Sequence, residues 1–180
     1  MMWNGVSTVM TKSTSKLVCD AGPIIHLDEL NCLHLLTDFQ KIILSNIVCE
    51  EIKMYRPLAL KRQNLSFTKL SQKIPPDETI QTICRIFSLD AGETEALALM
   101  QKNPQAIFLT DDAAARLVAK QMRFKVHGTI GIIIRSVRRG QNEPEEVLKI
   151  LSNLPIKSTL HIKASLLNKI IIKIKNEFDL

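Results

Sequence analysis

The acidic residues of this chain gather where like charges repel one another. Asp111 and Asp112 stand side by side directly after the apolar run "AIFLT". Asp20 closes a second run in "LVCDAG", Glu50 and Glu51 follow "KIILSNIVC", and Glu93 and Glu95 stand in "LDAGETEALAL". Taken singly, each acid is accounted for by the preference of Asp and Glu for helix N-termini. The informative feature is convergence, because four separate segments carry carboxylates just past a strand or early in the next helix. Oxygen donors grouped without His or Cys suit Mg²⁺ or Mn²⁺. Left without a cation, such a group repels itself and its pKa values rise. The chemistry that fits is metal-assisted attack of water on a phosphodiester, the metal making hydroxide and neutralising the developing charge.

Convergence depends on the elements that carry these segments. "SKLVC" (15–19), "KIILS" (41–45) and "AIFLT" (106–110) read as strands, with "NLSFTKL" (64–70) and "KVHG" (125–128) as shorter ones. A helix over 23–39 has Pro23 in its first turn and Ile24, Leu27, Leu30, Leu33 and Leu36 at helical spacing. Others run through "IVCEEIKMYRPLAL", interrupted near Pro57, and through "PPDETIQTICRIF". The helix over 88–103 has Ser88 as its cap. "AAARLVAKQMRF" and "IGIIIRSVRRG" follow, the second closed by Gly140, and "EPEEVLKILSNL" and "IKASLLNKIIIKIKNEF" end the chain as helices. Strands alternating with helices imply a parallel sheet covered on both faces. In such sheets the working site lies beyond the carboxyl ends of the strands, where these acids fall.

Composition narrows the function classes. A length of 180 residues fits one domain over 15–180, its core about 16–140 and its C-terminal helices 141–180. Residues 1–14 read as a polar, disordered leader without the continuous apolar segment of a signal peptide. Aromatic residues make up only 4%, which argues against a base-stacking platform. A net charge of +6 fits a polyanionic partner without requiring one. Cys19, Cys32, Cys49 and Cys84 form no C-x-x-C pair, so a zinc site or disulfide framework is excluded and a reducing cytoplasm is expected. The longest apolar runs are too short to span a bilayer, and no membrane partner is expected. Neither G-x-G-x-x-G nor G-x-x-x-x-G-K-[ST] occurs, and "DAG" excludes an Asp-x-Asp phosphatase.

The order "LVCDAGPIIHL", "SNIVCEEI", "LDAGETEALALM", "IFLTDDAAARLVAK" and "VHGTIGIII" resembles the PIN-domain superfamily, closest to its uncharacterised PIN-like branch related to the VapC toxins. The resemblance runs from about Lys16 to Gly140, more loosely beyond. It implies an α/β, three-layer α/β/α fold with a mainly parallel central sheet, a Mg²⁺ or Mn²⁺ site and ribonuclease activity. It carries the first acid onto Asp20 and the second onto Glu51, with Glu50 as the alternative. The third falls on Glu95, supported by Glu93 from the same helix. The fourth falls on Asp112, with Thr110 as its hydrogen-bonding partner and Asp111 as an added acid near the metal. Arg116, one helical turn past Asp112, either contacts a phosphate or pairs with an acid. "GTIG" serves a tight strand-to-helix connection. Lys120, Arg123, Lys125, Arg135, Arg138 and Arg139 form either a path for the RNA backbone or a solvated face.

The reading is therefore an endoribonuclease, with Asp20, Glu51, Glu95 and Asp112 at its centre. By the same resemblance it is a toxin held by a small antitoxin protein, and a homodimer. The alternative is a nuclease-dead nucleic-acid-binding or regulatory module, since a fold outlives its chemistry.

Overall fold

The computed structural model describes residues 13–62, 64–70 and 74–180; residues 1–12 of the expected leader lie outside them. Five strands form one sheet: β1 (Ser13–Cys19), β2 (Phe39–Leu44), β3 (Phe67–Lys69), β4 (Ile107–Leu109) and β5 (Lys125–His127). Their order is β3-β2-β1-β4-β5, and every neighbouring pair is parallel. Parallel neighbours require crossover connections, and helices supply them. They are α1 (Ala21–Glu29), α2 (Asn46–Tyr55), α3 (Glu78–Ile86), α4 (Ala91–Lys102) and α5 (Ala113–Gln121). After β5 come α6 (Thr129–Arg138), α7 (Pro144–Lys157) and α8 (Ala164–Glu177).

The period-two alternation of the strands divides the core into two layers. Leu17 and Cys19 of β1 and Leu109 of β4 face one side, where they meet Ile24 and Leu27 of α1, Ile132 and Ile133 of α6, and Leu151 of α7. Val18 and Phe108 face the other, against Cys84 of α3, Leu97 of α4 and Val118 of α5. The expected three-layer α/β/α arrangement is thus the observed one, with apolar contacts on both faces of the sheet.

Three boundaries turn on single residues. The helix expected over 23–39 stops at Glu29, because Asn31 takes a left-handed φ of 56°. The Asn31 N–H then bonds the Asp28 carbonyl and the Cys32 N–H the Leu27 carbonyl, closing the helix end. Only a 3-10 turn, Leu33–Leu36, follows. At 88–103, Ser88 is itself left-handed (φ 53°) and cannot begin the helix. Asp90 caps α4 instead, accepting from the Glu93 N–H while the Glu93 carboxylate accepts from the Asp90 N–H. Gly140, at φ 64°, ends α6 as expected.

No helix among the described residues is long and apolar enough to cross a membrane.

Candidate active site

The strand order places a reversal of direction between β1 and β4. From β1 the chain builds outward through β2 to β3, then crosses to the opposite side and adds β4 and β5. The helices that follow β1 and β4 therefore leave on opposite faces, α1 into one core layer and α5 into the other. A crevice opens between two such strand ends, and it is where open α/β sheets hold their ligands. Asp20 is the first residue after β1; Thr110, Asp111 and Asp112 follow β4.

Thr110 fixes the crevice floor. Its side chain is fully buried, and its N–H continues the sheet by bonding the His127 carbonyl at 3.0 Å. Its hydroxyl donates to Asp20 Oδ2 at 3.1 Å and accepts from the Asp112 N–H at 3.2 Å. One hydroxyl thus joins the two acids that follow adjacent strands. Asp20 Oδ1 accepts from the Ala21 N–H at 2.8 Å, capping α1. Asp112 Oδ1 accepts from the Ala115 N–H at 2.7 Å, capping α5. Both carboxylates sit on the positive ends of helices, which favours negative charge there.

Two more helices bring acids to the same crevice. Glu93, 9% exposed in the first turn of α4, feels the charges of Asp90, Asp112 and Asp20. Burial, reinforced by those charges, pushes its carboxyl up to about 7 against the hydrogen bond from the Asp90 N–H. Burial likewise raises Asp20 to about 6, with Asp90 and Glu51 adding to the effect and two hydrogen bonds opposing it. Glu51 of α2 is half-buried and also raised, by burial first and by Asp90 second. The electrostatic cluster is therefore Asp20, Glu51, Asp90, Glu93 and Asp112. Asp90 was not singled out in the sequence, although Asp90 and Glu93 show the Asp-x-x-Glu spacing of a capping box.

Two expected site residues, Asp111 and Glu50, stand elsewhere. Asp111 is committed to the scaffold rather than to the acid cluster: its Oδ2 accepts from His26 Nδ1 at 2.8 Å and from the Thr129 hydroxyl at 2.6 Å. Its Oδ1 accepts from the Thr129 N–H at 2.8 Å, so both oxygens are occupied in tying β4 to α1 and to the start of α6. Glu50 is exposed and paired with Lys53 at 2.9 Å and Lys69 at 3.1 Å, and these lysines hold its carboxyl below the usual range. Glu95 is buried at 6% exposure. Two residues along a helix are about 200° apart, so Glu93 and Glu95 leave α4 on different sides.

The basic residues divide by position. Arg116 reaches back from α5, its Nη1 donating to the Thr110 carbonyl at 3.2 Å, so it sits at the crevice. Lys120 and Arg123 lie at the far end of α5 and just beyond it, and Lys125 begins β5 opposite Ile107 at the start of β4. All three are thus at the amino edge of the sheet, a helix length of about 13 Å from Asp112. Arg135 and Arg139 share Asp38 at 2.8 and 3.0 Å, and the Arg135 guanidinium stacks 4.4 Å from the Phe39 ring centroid. Arg138 reaches Glu177 of α8 at 3.6 Å. The expected continuous path of six cations is not assembled beside the acids.

"GTIG" has a steric reason. A Cβ at Gly128 would lie 2.6 Å from Asp111 Oδ1 and 2.8 Å from Arg116 Nη1, so the strand-to-helix connection needs a residue without a side chain.

A family model described as PIN domain matches residues 16–176, and the chain belongs to that family. PIN domains are generally nucleases. No curated protein and no solved structure matches the chain.

Proposed function

We propose that this PIN domain is a metal-dependent endoribonuclease whose Mg²⁺ or Mn²⁺ is held among Asp20, Glu93 and Asp112. The observation that carries the proposal is the junction of Asp20 and Asp112 across the Thr110 hydroxyl, with Glu93 electrostatically coupled to both.

The residues fit a hard cation. The donors are all carboxylate oxygens, and Asp20 and Glu93 are raised by burial first and by neighbouring carboxylates second, a penalty on negative charge that a divalent ion relieves. Among the described residues no three acidic, His or Cys side chains are already drawn close enough to enclose an ion. A cation held there would keep several waters and share its shell with substrate phosphate. When bound, it supplies an acidified water and a positive charge against the developing phosphate charge. The chain's own groups do the rest. Thr110 and the Ala21 N–H hold the Asp20 carboxylate in one orientation. Glu51, with its raised pKa, holds or moves the proton of the attacking water. Arg116 orients a phosphate at the mouth of the crevice.

The open spacing of the acids also favours a second reading, a nucleic-acid-binding or regulatory module with little catalysis. Cleavage of a mixed panel of structured and single-stranded RNAs with Mn²⁺ or Mg²⁺ separates the two. EDTA and an Asp20→Asn, Asp112→Asn double variant are the controls. Metal-dependent cutting that the variant loses supports the enzyme. Binding of RNA without cutting, unchanged in the variant, supports the module. A small antitoxin that covers this crevice would abolish cutting when added in equimolar amount.

A further inference from the structure

Beside the acid crevice, on the far side of Asp111, a cavity of about 410 Å³ opens between the start of α6 and the segment leading into α8. Its volume falls within the roughly 300–1,000 Å³ of small-ligand sites. Ile130 and Ile134 of α6 and Leu166 of α8 give it aliphatic walls, and Arg116, His127 and His161 give it polar groups. Arg116 belongs to both places, because its Nη1 bonds the carbonyl of Thr110, the residue that joins Asp20 to Asp112. Its other donors have no protein partner among the described residues.

His127 is half-buried, and its ring makes no hydrogen bond among the described residues. Burial first, then the charges of Arg135 and Arg116, lower its pKa, so the ring is neutral at pH 7 and offers one donor and one acceptor. An aliphatic side chain from a peptide would cover the isoleucines and leave the Arg116 and His127 donors unpaired, at a cost. A nucleobase answers both demands, with apolar faces and a rim of donors and acceptors. An attached phosphate meets the Arg116 guanidinium.

We infer that this cavity is a nucleobase subsite, seating the base of a nucleotide whose phosphate lies at Arg116. The inference rests on the nuclease reading for the identity of the bound strand, but its test does not use cleavage. Nucleoside 5′-monophosphates and ribose 5-phosphate would be titrated into the full chain in EDTA, by calorimetry and by chemical-shift mapping. The expected result is saturable nucleotide binding with shifts at His127 and His161. Ribose 5-phosphate should bind about 10-fold more weakly or worse, the loss of one base's contacts. Two variants accompany it: Ile130→Trp, which fills the cavity, and the exposed His161→Ala, which leaves the packing untouched. Both should weaken nucleotide binding and leave ribose 5-phosphate unchanged. Equal affinity for nucleotide and ribose 5-phosphate, no nucleotide binding, or binding indifferent to both variants overturns the subsite. Loss of RNA cutting with nucleotide binding intact would overturn the nuclease reading alone.

Discussion

Asp111 and Gly128 meet with no room between them: a Cβ at position 128 would stand 2.6 Å from Asp111 Oδ1. The Gly128 backbone (φ −121°) is one that any residue adopts, so space and not conformation selects glycine here. Gly128→Ala must therefore displace the Asp111 carboxylate or the Arg116 guanidinium. The expected cost is about 1–3 kcal/mol, the range for overpacking a filled site. Urea unfolding of the variant would measure it; an unchanged midpoint would show that the corner yields freely.

Asp111→Ala removes the acceptor of His26 and of both Thr129 donors at once. A destabilisation of about 2–4 kcal/mol is expected from several lost buried hydrogen bonds. Asp112→Ala loses one helix cap and should cost about 1 kcal/mol. Titration with Mn²⁺ should show the opposite ranking, with affinity falling in Asp112→Asn and little changed in Asp111→Asn. Equal loss of Mn²⁺ affinity in both would return Asp111 to the metal site.

Glu93 and Glu95 are separable by conservative substitution. Glu93→Gln should lower the RNA cleavage rate by about 100-fold, the order of effect of removing one electrostatic group from an active centre. Glu95→Gln should lower it far less at equal protein stability. The reverse order, measured under single-turnover conditions, would place Glu95 at the reaction and Glu93 in the helix cap alone.

The raised carboxyls make the metal-free protein more stable in mild acid. Asp20 has a folded value of about 6 against 3.8, and Glu93 about 7 against 4.5. As pH rises from about 4, the unfolded chain releases these protons first while the native state keeps them. Their contribution is thus complete below the unfolded values and is lost as pH climbs through the folded ones, near 6 and 7. The melting temperature in EDTA should rise on going from pH 8 to pH 5, by roughly 2–4 °C per kcal/mol for a domain of this size. Added Mg²⁺ or Mn²⁺ should raise it at pH 8 and do so less at pH 5. A flat profile in EDTA would mean that the carboxyls are not under strain.

Lys120, Arg123 and Lys125 are at the opposite sheet edge from Asp112, so replacing all three with Ala should leave the cleavage rate of a short oligoribonucleotide within about 3-fold. Arg116→Ala should lower it by about 10-fold or more, as expected for loss of a charge-assisted phosphate contact. Comparable losses in the two variants would mean that the strand wraps to the far edge.

Much of the fold was legible in the sequence because its signals are local. "LVC" and "AIFL" are apolar runs with strand length, and the residues that end them, Asp20 and Thr110 to Asp112, come to one crevice as the parallel arrangement requires. What could not be read depended on packing and on distance. The coupling of Glu93 to Asp20 and Asp112 depends on how α4 packs across the sheet, which its own sequence does not display. Asp111 is drawn away by His26, 85 positions earlier, and by Thr129, 18 positions later. Neither contact leaves a mark on the local pattern. The basic residues were close in sequence, but α5 carries Lys120 and Arg123 to one edge while Asp38 and Glu177 take up the arginines of α6.

The Thr110 hydroxyl and Asp20 are 90 positions apart, and β4 is the strand that completes the pairing of β1 on that side. During synthesis the amino-terminal half therefore emerges with β1 as an open rim. The crevice cannot close until residues 107–112 have left the ribosome. Contacts of such long sequence separation are slow to form, and an unpaired inner strand waiting for its neighbour invites pairing with another chain. The same threonine that orients two acids thus sets a timetable: the crevice is assembled only after residues 107–112 have been made, and the chain is most exposed to misassembly just before.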